Sequence, residues 1–299
     1  MPLTNFDYFL WVMVVSAQKK AADREFVFSD KDFNFLADLV GKKTGIVLSQ
    51  SKKNMIYGRI ARRLRALNFK TFKEYCDYLT GHDGDKEVTD FVNAVTTNLT
   101  KFFRESHHFD HLRDEVFKPM VLNPPVGKRF RLWSAGCSSG MEAYSIAMTA
   151  CDNISGIDGW DFRILATDID TNMLDKGSNA KYRFRDVEDG VPLPFRKKYV
   201  IRSKDKESDE VVLADRVRKL VSFKHLNLLE PWPLKGPFDV IFCRNVVIYF
   251  NKDTQRVLFD RYADVLKDGG YLYIGHSESL NGVTDRFKAI GKTIYQKIK

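Results

Sequence analysis

Arg129-Phe130-Arg131-Leu132-Trp133-Ser134-Ala135-Gly136-Cys137-Ser138-Ser139-Gly140-Met141-Glu142-Ala143-Tyr144-Ser145-Ile146-Ala147-Met148 is the stretch that decides the fold. It reads as a buried strand, a tight turn holding two glycines, and a helix with Glu142 in its first turn. A strand that passes through such a turn into a helix makes a cradle for a small molecule. Glycines let the backbone come close to a ligand, and a helix start presents unpaired N–H groups. The dinucleotide fingerprint is Gly-x-Gly-x-x-Gly, whereas this turn is Gly-x-x-x-Gly with an acid directly after it. A carboxylate there repels a pyrophosphate but suits a ligand carrying an ammonium and hydroxyls. The turn therefore favours S-adenosylmethionine over a dinucleotide.

From Arg129 onward, strands and helices alternate, which is the signature of a parallel α/β sheet of Rossmann type. The second strand, Phe162 to Thr167, ends in Asp168-Ile169-Asp170. An acid at that tip is where nucleotide-binding sheets grip a ribose hydroxyl, although Asp168 could instead cap the next helix, as could Asp170 or Thr171. A third strand runs from Leu220 to Phe223 and leads to Asn227-Leu228, and the apolar strand Phe238 to Cys243 ends in Arg244-Asn245. Helix Lys252 to Leu266, a turn at Lys267-Asp268-Gly269-Gly270, and strands Tyr271 to Gly275 and Thr293 to Ile298 follow, the last two as an antiparallel pair. In open sheets, ligands sit beyond the carboxyl ends of the strands. Gly136, Asp168, Asn227, Arg244 and Asn245 all fall at such ends.

Before the linker Asn123-Pro124-Pro125-Val126-Gly127, the chain reads as helical. Ser29 with Asp32 caps a helix that Gly41 and Gly45 end, and Ile56, Ile60, Leu64 and Leu67 mark a second. Thr71-Phe72-Lys73-Glu74 is a capping box opening a third, and Asp85 to Val95 and Ser106 to Leu122 complete the set. The second helix carries Lys52, Lys53, Arg59, Arg62, Arg63 and Arg65 with no acid before Phe72. It is either a solvated face or a docking face for an acidic partner. The expected organisation is an N-terminal extension over residues 1–27, a helical domain over 28–122, a linker over 123–128, and an α/β domain over 129–299. A small β-subdomain is inserted at about 183–219.

Composition fits a folded protein of 299 residues, 44% hydrophobic and 29% charged, with ample material for a core. The net charge of +9 favours acidic partners. Four scattered cysteines, Cys76, Cys137, Cys151 and Cys243, show neither a disulfide pattern nor metal-ligand spacing, so reduced thiols, no bound metal and a cytoplasmic location are expected. The apolar run from Phe6 to Ala17 is shorter than the ~20 residues a spanning helix needs. Its lysines follow rather than precede it, which reads as an extension in preference to a signal peptide.

Thr96-Thr97-Asn98-Leu99-Thr100-Lys101-Phe102-Phe103-Arg104-Glu105 is dense in polar groups and sets a cation beside two aromatic rings, read as a wall with a fixed charge. With this segment the chain resembles the chemotaxis receptor methyltransferases, the CheR family. The resemblance rests on Thr97 to Arg104, Gly136 to Met148, Ala166-Thr167-Asp168-Ile169-Asp170, Phe242 to Phe250, and Gly275-His276-Ser277-Glu278, and it extends from Phe28 to the C-terminus. It implies that Asn98, Thr100, Arg104, Glu142, Asp168, Asn227, Leu228, Arg244 and Asn245 line the cofactor site, with Arg104 and Tyr249 near the transferred methyl. It also implies a monomer that binds the cytoplasmic helices of chemotaxis receptors, with no nucleic acid and no membrane insertion. The docking face would be Lys52, Lys53, Arg59, Arg62 and Arg63. Two departures stand out. The family usually has Gly-Glu-Glu-Pro-Tyr where this chain has Gly140-Met141-Glu142-Ala143-Tyr144. The insertion carries Ser203-Lys204-Asp205-Lys206 in place of the glycine-rich turn of members that grip a receptor tail.

The implied reaction is methyl transfer from S-adenosylmethionine to glutamate side chains. A glutamate carboxylate, with a reference pKa of about 4.3, is already ionised at pH 7, so no strong general base is needed. Orientation alone can supply about 7–11 kcal/mol, and Arg104 can fix a carboxylate bidentately. The rival readings are a nucleic-acid methyltransferase, which the charge invites but the missing aromatic amino-group box opposes, and a binding module that lost its chemistry. A nicotinamide enzyme fits the turn least.

Overall fold

The computed structural model describes residues 24–203 and 208–298. The apolar run at residues 6–17 and the charged turn at residues 204–206 lie outside the described residues. The chain divides into two compact units, residues up to Leu39 with Ser49–Val95, and Val40–Leu48 with the chain from Thr96 onward.

The first unit holds helices Lys53–Leu67, Phe72–Thr80 and Asp85–Val95 together with the start of helix Asp30–Thr44. Ser29 caps that helix with a reciprocal pair of bonds: the Asp32 N–H donates to Ser29 Oγ and the Ser29 N–H to Asp32 Oδ2. The helix runs through Gly41 and stops at Gly45, one turn later than a break at the first glycine. Thr71 accepts from the Glu74 N–H, while Glu74 reaches back to the Lys70 N–H, one residue before the usual partner. Ile56, Ile60 and Leu64 are buried as their spacing predicts, but Leu67, on the last turn, is exposed. Phe28 packs on Phe72 with ring centroids 4.3 Å apart.

The basic helix is not a uniform charged face. Arg63 pairs with Glu87 at 2.5 Å and Asp90 at 2.7 Å, and Arg59 donates to the Ala94 and Val95 carbonyls at the end of helix Asp85–Val95. Lys53 pairs with Asp30. Lys52 and Arg62 stay exposed.

Among the described residues, the second unit is built on ten strands: β1 (Arg129–Ala135), β2 (Asp161–Asp168), β3 (Lys181–Arg183), β4 (Val200–Arg202), β5 (Glu210–Leu213), β6 (Val221–His225), β7 (Phe238–Cys243), β8 (Leu266–Ile274), β9 (Phe287–Gly291) and β10 (Ile294–Lys297). Seven form one sheet in the order β6-β2-β1-β7-β8-β10-β9. The first five are parallel, and β10 runs antiparallel to both β8 and β9. The antiparallel pairing of β8 with β10 matches the expectation. β9 is an addition, and Lys267 to Gly270 lie within β8 at a register shift instead of forming a separate turn.

Alternate residues of the central strands feed opposite cores. Val240 and Phe242 face one side with helix Met141–Asn153, while Ile241 and Cys243 face the other with Leu258, Phe259 and Tyr262 of helix Lys252–Val265. The chain leaves β1 toward β2 on one side and β7 on the other, so a crevice opens where the strand order reverses. A second, three-stranded antiparallel sheet, β3-β5-β4, carries two short helices, Phe184–Gly190 and Leu193–Tyr199. The helical stretch His107–His111, Leu112–Phe117 and Lys118–Leu122, with a π-helical middle, belongs to the second unit and not to the helical one. Phe109, Leu112 and Phe117 bury there against the sheet core.

Candidate active site

The turn after β1 adopts the cradle its glycines allow. Gly136 (φ +80°) and Gly140 (φ +82°) both sit in the left-handed region, and a side chain at Gly136 would run into Val246, one at Gly140 into the ring of Phe223. The Gly136 and Cys137 N–H groups donate to the Thr167 carbonyl, tying the turn to the end of β2. Helix Met141–Asn153 starts directly after Gly140 and is buried along almost its whole length, which brings Glu142 to the crevice.

The two acids at the end of β2 divide the work. Asp170 caps helix Thr171–Asn179 through the Met173 N–H, and it also accepts from Thr96 Oγ1 at 2.7 Å and Asn98 Nδ2 at 2.6 Å. Asp168, freed from capping, accepts from the Ser138 N–H at 2.7 Å and the Asp170 N–H at 2.9 Å, and it lines the crevice. Burial pushes its carboxyl up, and the backbone N–H groups oppose that shift.

Arg244, at the end of β7, is the electrostatic hub. Its side chain is only 2% exposed and lies 3.2 Å from Glu142 and 3.3 Å from Glu105, and it donates to the Arg104 carbonyl. Burial raises the Glu142 carboxyl, while the Arg244 charge and a 2.7 Å hydrogen bond from Ser134 pull it down. Glu105 feels burial upward, but the hydrogen bond from His276 and the Arg244 charge hold it down at about 2. His108 is fully buried beside them and is lowered by burial and then by Arg244 to about 3. Glu105, His107 and His108 bring ligand-type atoms within 4.8 Å of one another. The guanidinium 3.3 Å from Glu105 already supplies the positive charge that a metal would bring to this cluster.

Between Thr96 and Glu105 the chain has no helix. Arg104 Nη1 donates to the Leu99 carbonyl, which folds its side chain back over this segment. The flanking phenylalanines do not form a wall for Arg104. Phe102 is buried against Tyr182, and Phe103, itself left-handed at φ +49°, packs on Phe109 and Phe195. They anchor the segment from behind.

Opposite, Asn227 donates to the Lys43 carbonyl and Glu230 and accepts from the Leu229 N–H. Glu278 collects the N–H groups of Gly275, Asn245, Val246 and Val247 at 2.5–2.9 Å, which fixes the loop after β7. The short 3-10 turn Val247–Tyr249 then places Tyr249 at the crevice.

Asn98, Thr100, Arg104, Gly136, Glu142, Asp168, Asn227, Leu228, Arg244, Asn245 and Tyr249 all line one cleft of about 940 Å³, counted with its open mouth. Lys52, Lys53, Arg59, Arg62 and Arg63 belong to the helical unit and not to this lining. The lining also holds Leu99, Lys101, Ser138, Leu226 and Phe250, which sequence reasoning passed over. Glu105 and Glu278 stand within the quoted motifs, but Arg244 and His276, which engage Glu105, and the Asn245 to Val247 N–H groups, which engage Glu278, lie far away in the chain, so spacing gave no signal for their roles.

A parallel sheet with a glycine turn at its switch point, an acid on the second strand and a second acid held by a buried arginine defines a nucleotide-cofactor methyltransferase. The residues present fit S-adenosylmethionine: Asp168 keeps acceptor capacity for hydroxyls, and Glu142 offers a carboxylate to an ammonium.

Comparison with known proteins carries the assignment to the family. Residues 98–296 match the CheR methyltransferase SAM binding domain, and residues 31–96 match the CheR methyltransferase all-alpha domain. Chemotaxis protein methyltransferase 2 of Pseudomonas aeruginosa is 37% identical over 91% of this chain and 95% of its own. The chemotaxis protein methyltransferase of Escherichia coli is 38% identical over 89% of this chain and 91% of its own. A relative from Rhizobium etli is 39% identical over 86% of this chain and 96% of its own. The chain belongs to the CheR methyltransferase family, an S-adenosylmethionine-dependent methyltransferase of chemotaxis. Among the described residues, no helix is long and apolar enough to cross a membrane.

Proposed function

We propose that this protein methylates glutamate side chains on the cytoplasmic helices of chemotaxis receptors, forming glutamate methyl esters. The observation that carries the reading is the placement of Arg104 on the same cleft as Glu142 and Asp168. Its guanidinium thus shares a cleft with two carboxylates suited to a cofactor's ammonium and ribose hydroxyls. When bound, S-adenosylmethionine supplies an electrophilic methyl, so that a carboxylate oxygen forms the new C–O bond as the C–S bond breaks with its electron pair to sulfur. No proton moves. The protein's task is therefore orientation.

Asp168 would hold the ribose hydroxyls, and Glu142, steadied by Ser134 and Arg244, the amino group. Arg104, with Nη1 engaged by the Leu99 carbonyl, keeps further donors for the acceptor carboxylate. An acceptor oxygen bound too tightly would lose nucleophilicity, so Arg104 orients more than it neutralises. Tyr249, at the cleft, is the second residue we assign near the methyl. For docking, Lys52, just ahead of the basic helix, and Arg62 are exposed and make no ion pair among the described residues, whereas Arg65, also exposed, pairs with Glu25, and Arg59 and Arg63 are engaged within their own unit. The test is methyl transfer from radiolabelled cofactor to receptor-containing membranes, followed by mild alkali. Release of labelled methanol supports an ester on a carboxylate; label that resists alkali contradicts it.

A further inference from the structure

The segment ahead of Arg104 has two unlike faces. Thr97, Leu99 and Lys101 are exposed, whereas Asn98 and Thr100 between them are half-buried. A period of two belongs to extended chain. The inner face is fixed, because Asn98 Nδ2 binds Asp170 and the Asn98 carbonyl accepts from Ser138 Oγ. The outer face has no such engagement. Leu99 is 82% exposed, a large apolar side chain at the rim of the cleft. Lys101 lines the same cleft and has no hydrogen bond or ion pair among the described residues.

The charges of the cleft sort accordingly. Glu142 is matched by Arg244, and Asp168 by backbone N–H groups. On the rim, among the described residues, Arg104 is bonded only to a neutral carbonyl, and Lys101 is unmatched. The rim thus carries the cleft's unpaired positive charge beside an apolar side chain. A surface of this kind complements a helix that presents carboxylates beside an apolar stripe.

We infer that Leu99 and Lys101 form the acceptor-recognition rim of this enzyme, taking an acidic amphipathic helix in which one carboxylate reaches Arg104 and a neighbouring one meets Lys101. This rests on the proposed glutamate methylation and adds which residues read the acceptor. Lys101 is a specificity residue and not a cofactor ligand. An exposed charge pair of this type alters binding by about threefold, and charge reversal by about tenfold.

The experiment measures initial rates against receptor-containing membranes, with calorimetric titration of S-adenosylmethionine on the same full-length proteins. Lys101→Met is expected to raise KM for receptor about threefold and Lys101→Glu about tenfold, with the loss falling on KM and not kcat. Leu99→Ser raises that KM about threefold, and Lys101→Arg restores wild-type behaviour. Cofactor affinity stays at the wild-type value throughout, which also reports that each variant is folded. Wild-type KM in both Lys101→Glu and Leu99→Ser would overturn the inference. So would weakened cofactor binding in Lys101→Met, which would put the lysine on the cofactor's own carboxylate. A wild-type enzyme whose product is stable to alkali overturns the glutamate reading itself, independently of the variants.

Discussion

Arg244 Nη1 lies 3.2 Å from Glu142 Oε2, joining the end of β7 to the first turn of the helix after the glycine turn. These residues are 102 positions apart in the chain, and their contact closes the floor of the cleft. The same guanidinium reaches Glu105 and the Arg104 carbonyl, so one buried cation ties Glu142 to the backbone at Arg104.

Removing that cation leaves two inward-facing carboxylates without their partner. Arg244→Met is predicted to cost about 3–5 kcal/mol of stability and to weaken S-adenosylmethionine binding. Urea unfolding and calorimetry would check this, and a stability loss under about 1 kcal/mol would contradict the hub role.

The two acids at the end of β2 should separate cleanly on mutation. Asp168→Ala should raise the cofactor Kd about 10- to 100-fold by removing a charged acceptor. Asp170→Ala should chiefly lower stability, by about 1–3 kcal/mol, through loss of the cap and of the bonds from Thr96 and Asn98. The reverse pattern would exchange their roles.

Arg104→Ala should leave cofactor binding measurable while methyl transfer falls by about 100-fold or more. Unchanged turnover would refute the placement of the acceptor carboxylate on this guanidinium.

His108 makes stability depend on pH in a definite sense. Its folded pKa of about 3 lies below the ordinary 6.5, so between those values the unfolded chain takes up a proton that the folded chain refuses. Stability therefore falls as pH drops below 6.5, by at most about 1.4 kcal/mol per pH unit. Glu105, also depressed, adds its loss only below its ordinary value of 4.5. Thermal unfolding of wild type and His108→Gln from pH 7 to 5 should give a shallower slope for the variant. Equal slopes would mean that His108 does not titrate as a buried neutral ring.

The sheet end of the cleft was legible because its signals are local. Gly136, Glu142 and Asp168 each stand at a strand end or helix start that the surrounding apolar pattern marks. The misreadings are long-range or marginal. Phe102 and Phe103 look like pocket walls beside Arg104 in sequence, yet a left-handed backbone at Phe103 accompanies their packing into the core. Residues 107–122 are helical as expected, but their apolar face is completed by the sheet and not by the helices before them. β9 is an edge strand whose residues after Phe287 are exposed, so it carries almost no hydrophobic alternation. The basic helix reads as one charged face until Glu87 and Asp90, some 24 and 27 residues on, are seen to engage Arg63.

The most direct test of the cleft is a crystal structure with S-adenosylhomocysteine, the demethylated cofactor. The account predicts ribose hydroxyls within hydrogen-bond distance of Asp168, the amino group beside Glu142, and sulfur facing Arg104 and Tyr249. Ligand density that contacts none of Asp168, Glu142 and Arg104 would contradict it.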